Sequence, residues 1–176
     1  MEIQILDQIQ NMRNPIGDAI MCFITSLGNA GWIWIVLAAV LLVYPKTRKT
    51  GCIVAAALIF DLILCNGILK NLIARTRPFD INTAVELIVK RPRDYSFPSG
   101  HTAASFATIG ALFLAGQKKL GITALVLGIL IAFSRLYLYV HFPTDILGGI
   151  VVGLLAGFCG YTCIKMYEKK VQQKET

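Results

Sequence analysis

The sequence predicts an all-α, polytopic membrane protein: six transmembrane helices behind a short N-terminal interfacial helix, in a single domain over residues 1–176. Three observations predict it. The chain is 56% apolar with a mean hydropathy of +0.65, high for a soluble protein of this length. The apolar residues cluster in near-continuous runs, and a run of about 17–25 such residues crosses a bilayer as a helix. The charges stand between the runs, where the loops of a bundle belong.

Each element can be read in order. Residues 1–13, MEIQILDQIQNMR, lack the cationic start and long apolar run of a signal peptide. Ile3, Leu6, Ile9 and Met12 recur among polar neighbours, which predicts an amphipathic helix lying on the membrane; a packed helix outside the membrane is the alternative. The first span runs from Pro15 to Ala30 with Asp18 inside it, and the second from Gly31 to Tyr44. Both are short. The third runs from Gly51 to Ala74, the fourth from Ser99 to Gly116, and the fifth from Leu120 to Val140. The sixth opens at Pro143 and fades near Tyr167, leaving the polar tail EKKVQQKET to fray.

A net charge of +7 and a pI near 9.3 could suggest nucleic acid, but the cations form no continuous basic face. Membrane orientation and an anionic substrate explain them better, so the partners predicted are a lipid substrate and the bilayer, with no nucleic acid. Six spans put both termini on one side. That side receives ten Lys and Arg residues against seven on the other, which favours cytoplasmic termini. The seven outer cations, Lys70, Arg75, Arg77, Lys90, Arg91, Arg93 and Arg135, crowd into two loops, as a bound anion would require. Cys22, Cys52, Cys65, Cys159 and Cys163 sit in or beside apolar segments with no metal-type pairing, and read as small buried side chains.

Three clusters carry chemistry, and the alternation of spans brings all three to one face. The first is Lys70 through Arg77-Pro78: the two cations are seven positions apart and share a side if helix continues that far, although Pro78 disfavours helix at Arg77. The second is Pro98-Ser99-Gly100-His101, where a helix opens. Its free amides and positive dipole end suit a phosphate, the Ser99 hydroxyl can donate, and Gly100 permits close approach of an anion. The third runs from Ser134-Arg135 to His141 and Asp145. Pro143 fits the first turn of the sixth span and leaves His141 just outside it. Asp145 can turn back to hold an imidazole N–H, fixing the tautomer and strengthening the other nitrogen as a nucleophile. Arg135 offers a forked donor.

Together these residues resemble the type 2 phosphatidic acid phosphatase family, related to vanadium haloperoxidases and bacterial acid phosphatases. The family pattern is a Lys, six residues, Arg-Pro; then Pro-Ser-Gly-His; then Ser-Arg, five residues, His, three residues, Asp. Lys70 with Arg77-Pro78, Pro98 to His101, and Ser134-Arg135 with His141 and Asp145 match it at every position and spacing. The resemblance implies a hydrolase that removes phosphate from a lipid phosphate or diphosphate. His141 would attack phosphorus, oriented by Asp145, and form a phosphohistidine. His101 would protonate the leaving oxygen and then activate water. Lys70, Arg77, Ser99, Gly100 and Arg135 would bind phosphate oxygens. No metal and no cofactor are implied.

Undecaprenyl diphosphate is the favoured substrate by that resemblance, with phosphatidylglycerophosphate and phosphatidic acid as rivals and the site on the extracytoplasmic face of the cell membrane. A non-catalytic lipid-phosphate transporter or binding protein is the alternative from another class, and a haloperoxidase the enzyme alternative. Outside the motifs, Arg75, Lys90, Arg91 and Arg93 read as headgroup-binding or solubilising cations. Asp61 lies nearly three turns from Lys70, about 13 Å along a helix, and is expected to be hydrogen-bonded and structural. Gly149, Gly153 and Gly157 read as a packing stripe within the monomer. The loop from Phe79 to Phe97 could act as a lid or a headgroup shelf, and the oligomeric state is open.

Overall fold

The computed structural model describes residues 1–175; Thr176, the end of the polar tail, lies outside the described residues. The described residues form helices and connecting turns and no strand. The helices are α1 (Glu2–Asn11), α2 (Pro15–Leu27), α3 (Trp32–Val43), α4 (Arg48–Asp61), α5 (Lys70–Ile73), α6 (Pro78–Ile81), α7 (Gly100–Leu114), α8 (Lys118–Tyr137) and α9 (Pro143–Glu175).

At the centre stands α7, buried at every residue from Thr102 to Leu112. Its run of Ala, Ser, Thr and Gly lets neighbours approach closely. The partner that comes closest is α9, which presents glycines to the α7 backbone. A Cβ at Gly149 would lie 2.8 Å from Ser99 O, one at Gly153 2.4 Å from Ala103 O, and one at Gly157 2.8 Å from Ala107 O. The stripe read from the sequence is therefore an intramolecular seam. Gly160 continues it against Ala57 of α4.

Two expectations about the first spans need correction. The chain does not fold back after α2. Ala30 (φ 51) and Gly31 (φ 68) take left-handed conformations that break the helix, and α3 continues onward at a bend of 43°. The pair is therefore one unit bent at the break, in place of a hairpin of two helices. The second correction follows from the first: the termini lie at opposite ends. On α1, Gln10 donates to Tyr137 O at 2.7 Å, and Glu2 accepts from Thr144 N at 3.0 Å, beside the loop that carries His141. At the far end Lys49 pairs with Glu168 of α9 at 2.6 Å, and Gln117 donates to Thr50 at 3.4 Å.

The apolar stripe of α1 is docked on protein. Leu6 is fully buried against Phe79, Tyr139, Val140 and Phe142, with Ile3 and Ile9 beside it, while Met12 is exposed. Three stretches, residues 48–81, α8 and α9, are long and apolar enough to cross a membrane, and α2 with α3, taken as one bent pair, passes the same test. The 15-residue α7 is shorter and passes through the middle of them. The sixth predicted span does not fade at Tyr167; α9 runs on to Glu175. All five cysteines are free.

The seam yields a stability prediction. Gly153→Ala places a methyl group against the Ala103 carbonyl and forces α7 and α9 apart, at a cost of about 1–3 kcal/mol. Thermal unfolding in detergent should show a lower Tm, and an unchanged Tm would contradict this packing.

Candidate active site

Lys70 and Arg77 converge, but not through a shared helical face. Leu62–Leu69 forms a π-helical stretch, a widening common at functional sites, and Lys70 opens α5 directly after it. The helix stops at Ile73 because Ala74 is left-handed (φ 48), and Arg77 is extended (φ −83, ψ 156), as a residue before proline must be. What unites the cations is Asp94. Lys70 Nζ donates to Asp94 Oδ2, and Arg77 donates through Nη2 to Oδ1 at 2.8 Å and through Nε to the Asp94 carbonyl at 2.7 Å. Partial burial pushes the Asp94 carboxyl up, but the hydrogen bond and charge of Lys70, then those of Arg77, outweigh it and hold it at about 2.

Arg77 also fixes His141. Its Nη1 donates to Val140 O at 2.6 Å and stands 3.3 Å from His141 Nε2. A guanidinium only donates, so Nε2 accepts and carries the lone pair. The proton then sits on Nδ1, which faces Asp145 Oδ2 at 3.4 Å. Burial first, then the charges of Arg77, Arg135 and Lys70, push the His141 pKa well below its ordinary value. The ring is thus neutral at physiological pH, with Nε2 presented to the cations.

Asp145 is held from several sides. Its Oδ2 accepts from Ser96 Oγ at 2.5 Å and from Phe142 N at 2.8 Å, and its Oδ1 accepts from Arg75 at 2.7 Å. Arg75 reaches onward to Glu2 at 2.7 Å and lies over the Phe142 ring, 4.1 Å from its centroid.

The remaining candidates surround a cavity of about 1100 Å³. Lys70, Arg77, Gly100, His101, Arg135 and His141 line its polar end; Ile35, Ala38, Ala55, Leu58, Ile59 and Leu62 line its apolar wall. Arg135 donates to Thr25 Oγ1, and its buried Nε has no hydrogen-bond partner among the described residues, an open donor on the cavity wall. The first intrahelical bond of α7 is Ala103 N to Ser99 O at 2.9 Å, so the amides of Gly100, His101 and Thr102 precede its ladder. A Cβ on Gly100 would stand 3.2 Å from Asn66 Oδ1.

Ser99 is placed otherwise than expected. It is fully buried behind the cavity, its amide donates to Asp145 O at 3.1 Å, and its hydroxyl accepts from Thr102 at 3.0 Å. Asp61 departs too. It is buried on the cavity wall, and Oδ1 has no partner among the described residues.

A neutral imidazole aimed at three cations, with a second imidazole on the same cavity, is an arrangement for phosphoryl transfer. The PAP2 superfamily profile matches residues 50–169, which contain every one of these motif residues. The chain belongs to the PAP2 superfamily. It is similar to an undecaprenyl-diphosphatase of Sulfolobus acidocaldarius, 30% identical over 141 residues, 80% of this chain and 68% of that one. It is similar also to the undecaprenyl-diphosphatase BcrC of Bacillus subtilis, 32% identical over 145 residues, 82% of this chain and 74% of that one. The crystal structure of a transmembrane PAP2-type phosphatidylglycerolphosphate phosphatase from Bacillus subtilis superposes with a TM-score of 0.73 at 31% identity, covering 97% of this chain and 85% of that one.

Sequence reasoning missed several residues around this PAP2 site. Arg75 was expected to be a headgroup or solubilising cation, yet it neutralises Asp145. Asp94, an acid in a loop of cations, had a legible sign in its charge; Ser96 and Asn66 had none. Asn29, 3.1 Å from His101 Nε2, lies in the break after α2, which the sequence places inside the first span, Pro15 to Ala30. Among the described residues, no group of three His, Cys, Asp or Glu could hold a metal ion.

Asp94 carries a pH prediction. Its pKa falls from the ordinary 3.8 to about 2 on folding, so its contribution is complete above 3.8 and lost as pH drops through about 2. Hydrogen exchange across residues 82–97, corrected for intrinsic rates, should hold steady between neutral pH and about 5 and rise only in strong acid. Loosening already at about pH 6 would show that Asp94 does not pin the loop.

Proposed function

We propose that this PAP2 lipid phosphatase hydrolyses undecaprenyl diphosphate or a closely similar lipid diphosphate through a phosphohistidine on His141. One observation carries the reading: Arg77 points a donor at His141 Nε2, so the lone pair faces the cations where phosphate would sit. The Nε2 lone pair forms the N–P bond as the P–O bond to the leaving group breaks, and His101 gives that oxygen a proton. Water then attacks phosphorus and yields its proton to His101 while the N–P bond breaks. Asp145 takes up the charge that develops at Nδ1. Lys70, Arg77, Arg135 and the amide of Gly100 stabilise the equatorial oxygens. Ser99 acts from behind, by holding the Asp145 segment. Side chains and one backbone amide of this chain fill these roles without calling on a metal.

The apolar wall of the cavity suits a long hydrocarbon tail, continuous with a phosphate at its polar end. The names of the Sulfolobus and Bacillus relatives favour a polyprenyl diphosphate. A second reading, phosphatidylglycerophosphate, is favoured by the solved Bacillus structure.

For the membrane, the reading is one domain with five crossings instead of six: α2 with α3 as a broken first, residues 48–81, α7, α8 and α9. The end of the bundle away from the site carries nine cations, Lys46, Arg48, Lys49, Lys118, Lys119, Lys165, Lys169, Lys170 and Lys174. The site end has five outside the cradle, Arg13, Arg75, Lys90, Arg91 and Arg93. That excess supports a cytoplasmic C-terminus, with α1 and the site on the outer face and α1 at the interface.

The test is phosphate release in detergent with excess EDTA, comparing undecaprenyl diphosphate, phosphatidylglycerophosphate and phosphatidic acid. Undecaprenyl diphosphate should lead, and His141→Ala should lower kcat by at least about 10⁴-fold while the protein stays folded. Turnover that survives His141→Ala would remove the nucleophile assignment. A need for a divalent ion would replace the mechanism with a metal-assisted one. No release from any lipid would favour a non-catalytic binding protein.

A further inference from the structure

The break between α2 and α3 lies against the second histidine. A Cβ at Gly28 would stand 2.6 Å from His101 Cδ2, and Asn29 Oδ1 lies 3.1 Å from His101 Nε2. Three residues before Gly28, Thr25 holds Arg135. The left-handed residues Ala30 and Gly31 therefore do more than redirect a helix: they deliver a polar segment to the middle of the bundle.

The charges around His101 explain why such a segment matters. Facing it are Arg135 from α8, Lys70 and Arg77 from the stretch between α4 and α6, and His141 from the loop before α9. No acid offsets them at the ring among the described residues: Asp94 pairs with Lys70 and Arg77, and Asp61 lies on the cavity wall with no hydrogen bond to His101. Among the described residues, the Asn29 carbonyl is the one hydrogen-bond acceptor on the His101 ring. A group meant to hold and give up a proton, set among cations, needs an acceptor that favours its protonated form.

We propose that Asn29 is the positioning residue of the proton carrier: its Oδ1 holds the His101 Nε2–H and leaves Nδ1 as the nitrogen that exchanges protons with leaving group and water. This rests on the reading of His101 as that carrier. In the first step the Nδ1–H bond breaks and its proton goes to the leaving oxygen; in the second the proton of attacking water returns to Nδ1. Nε2 keeps its proton throughout. A neutral amide here and a carboxylate behind His141 divide the labour. The amide supports an acid that must let go of a proton, and the carboxylate supports a nucleophile that must gain charge.

The experiment is the pH profile of kcat for Asn29→Ala and Asn29→Asp, with His101→Asn as the reference variant. Asn29→Ala should move the alkaline limb of kcat to lower pH by about one unit, with KM changed less than about twofold. Asn29→Asp should move the same limb upward. With p-nitrophenyl phosphate, whose leaving group needs little protonation, the Asn29→Ala loss should shrink. A loss that is uniform across pH, or limbs that stay put in both variants while His101→Asn is inactive, would overturn the role of Asn29 alone. Full activity in His101→Asn would overturn the proton-carrier reading and this proposal with it.

Discussion

Lys70, Arg77 and Arg135 set three positive charges, each 5% exposed or less, at one end of an apolar bundle. Removing a cation from water costs several kcal/mol unless something close by takes the place of solvent. Asp94 does so for Lys70 and Arg77, together with the carbonyls of Asp94 and Val140. Arg135 is left with Thr25 and an unmatched Nε. The rest of the site follows from satisfying these charges. The loop before α7 is drawn over the cavity by its carboxylate, and His141 acquires its tautomer from the guanidinium that also needs a partner. A phosphate completes the set as no protein group does, because it offers oxygens to all three cations at once.

Behind that layer is a second one built from opposite charge. Asp145 is fully buried, and Arg75, Ser96 and the Phe142 amide share its oxygens. Arg75 in turn ties in Glu2, so α1 is fastened to the layer that orients His141. The helix read as a surface float is thus also a strut. Close packing makes these distances possible, because the glycine face of α9 lets Asp145, near the start of that helix, sit against Ser99 at the start of α7.

Much of this was legible in the sequence, and the misses have physical reasons. The motif residues announced themselves by type and spacing, since phosphoryl transfer needs cations, an amide cradle and two imidazoles in few arrangements. The helices from α7 onward matched their apolar runs closely. The first two spans did not, because periodicity and length are blind to direction. A break at Gly28-Asn29-Ala30-Gly31 looks the same whether the chain reverses or bends by 43°. From that one ambiguity came the expected reversal after α2, the placing of both termini at one end, and the missed contact of Asn29 with His101. Arg75 and Asp94 were missed differently. Their roles depend on which opposite charge the fold brings near: Arg75 meets Asp145, 70 positions on, and Asp94 meets Lys70 and Arg77, 24 and 17 positions back.

The central claim is that His141 Nε2 is the atom that takes the phosphoryl group. The most direct measurement is rapid-quench trapping with phosphate-labelled p-nitrophenyl phosphate, whose leaving group needs little protonation, using His101→Asn to slow hydrolysis of the intermediate. The account predicts an acid-labile, base-stable phosphoprotein whose label maps to His141 at Nε2 and is absent from the His141→Ala double variant. Label on His101, or turnover with no trapped phosphohistidine when water attack is slowed, would contradict it.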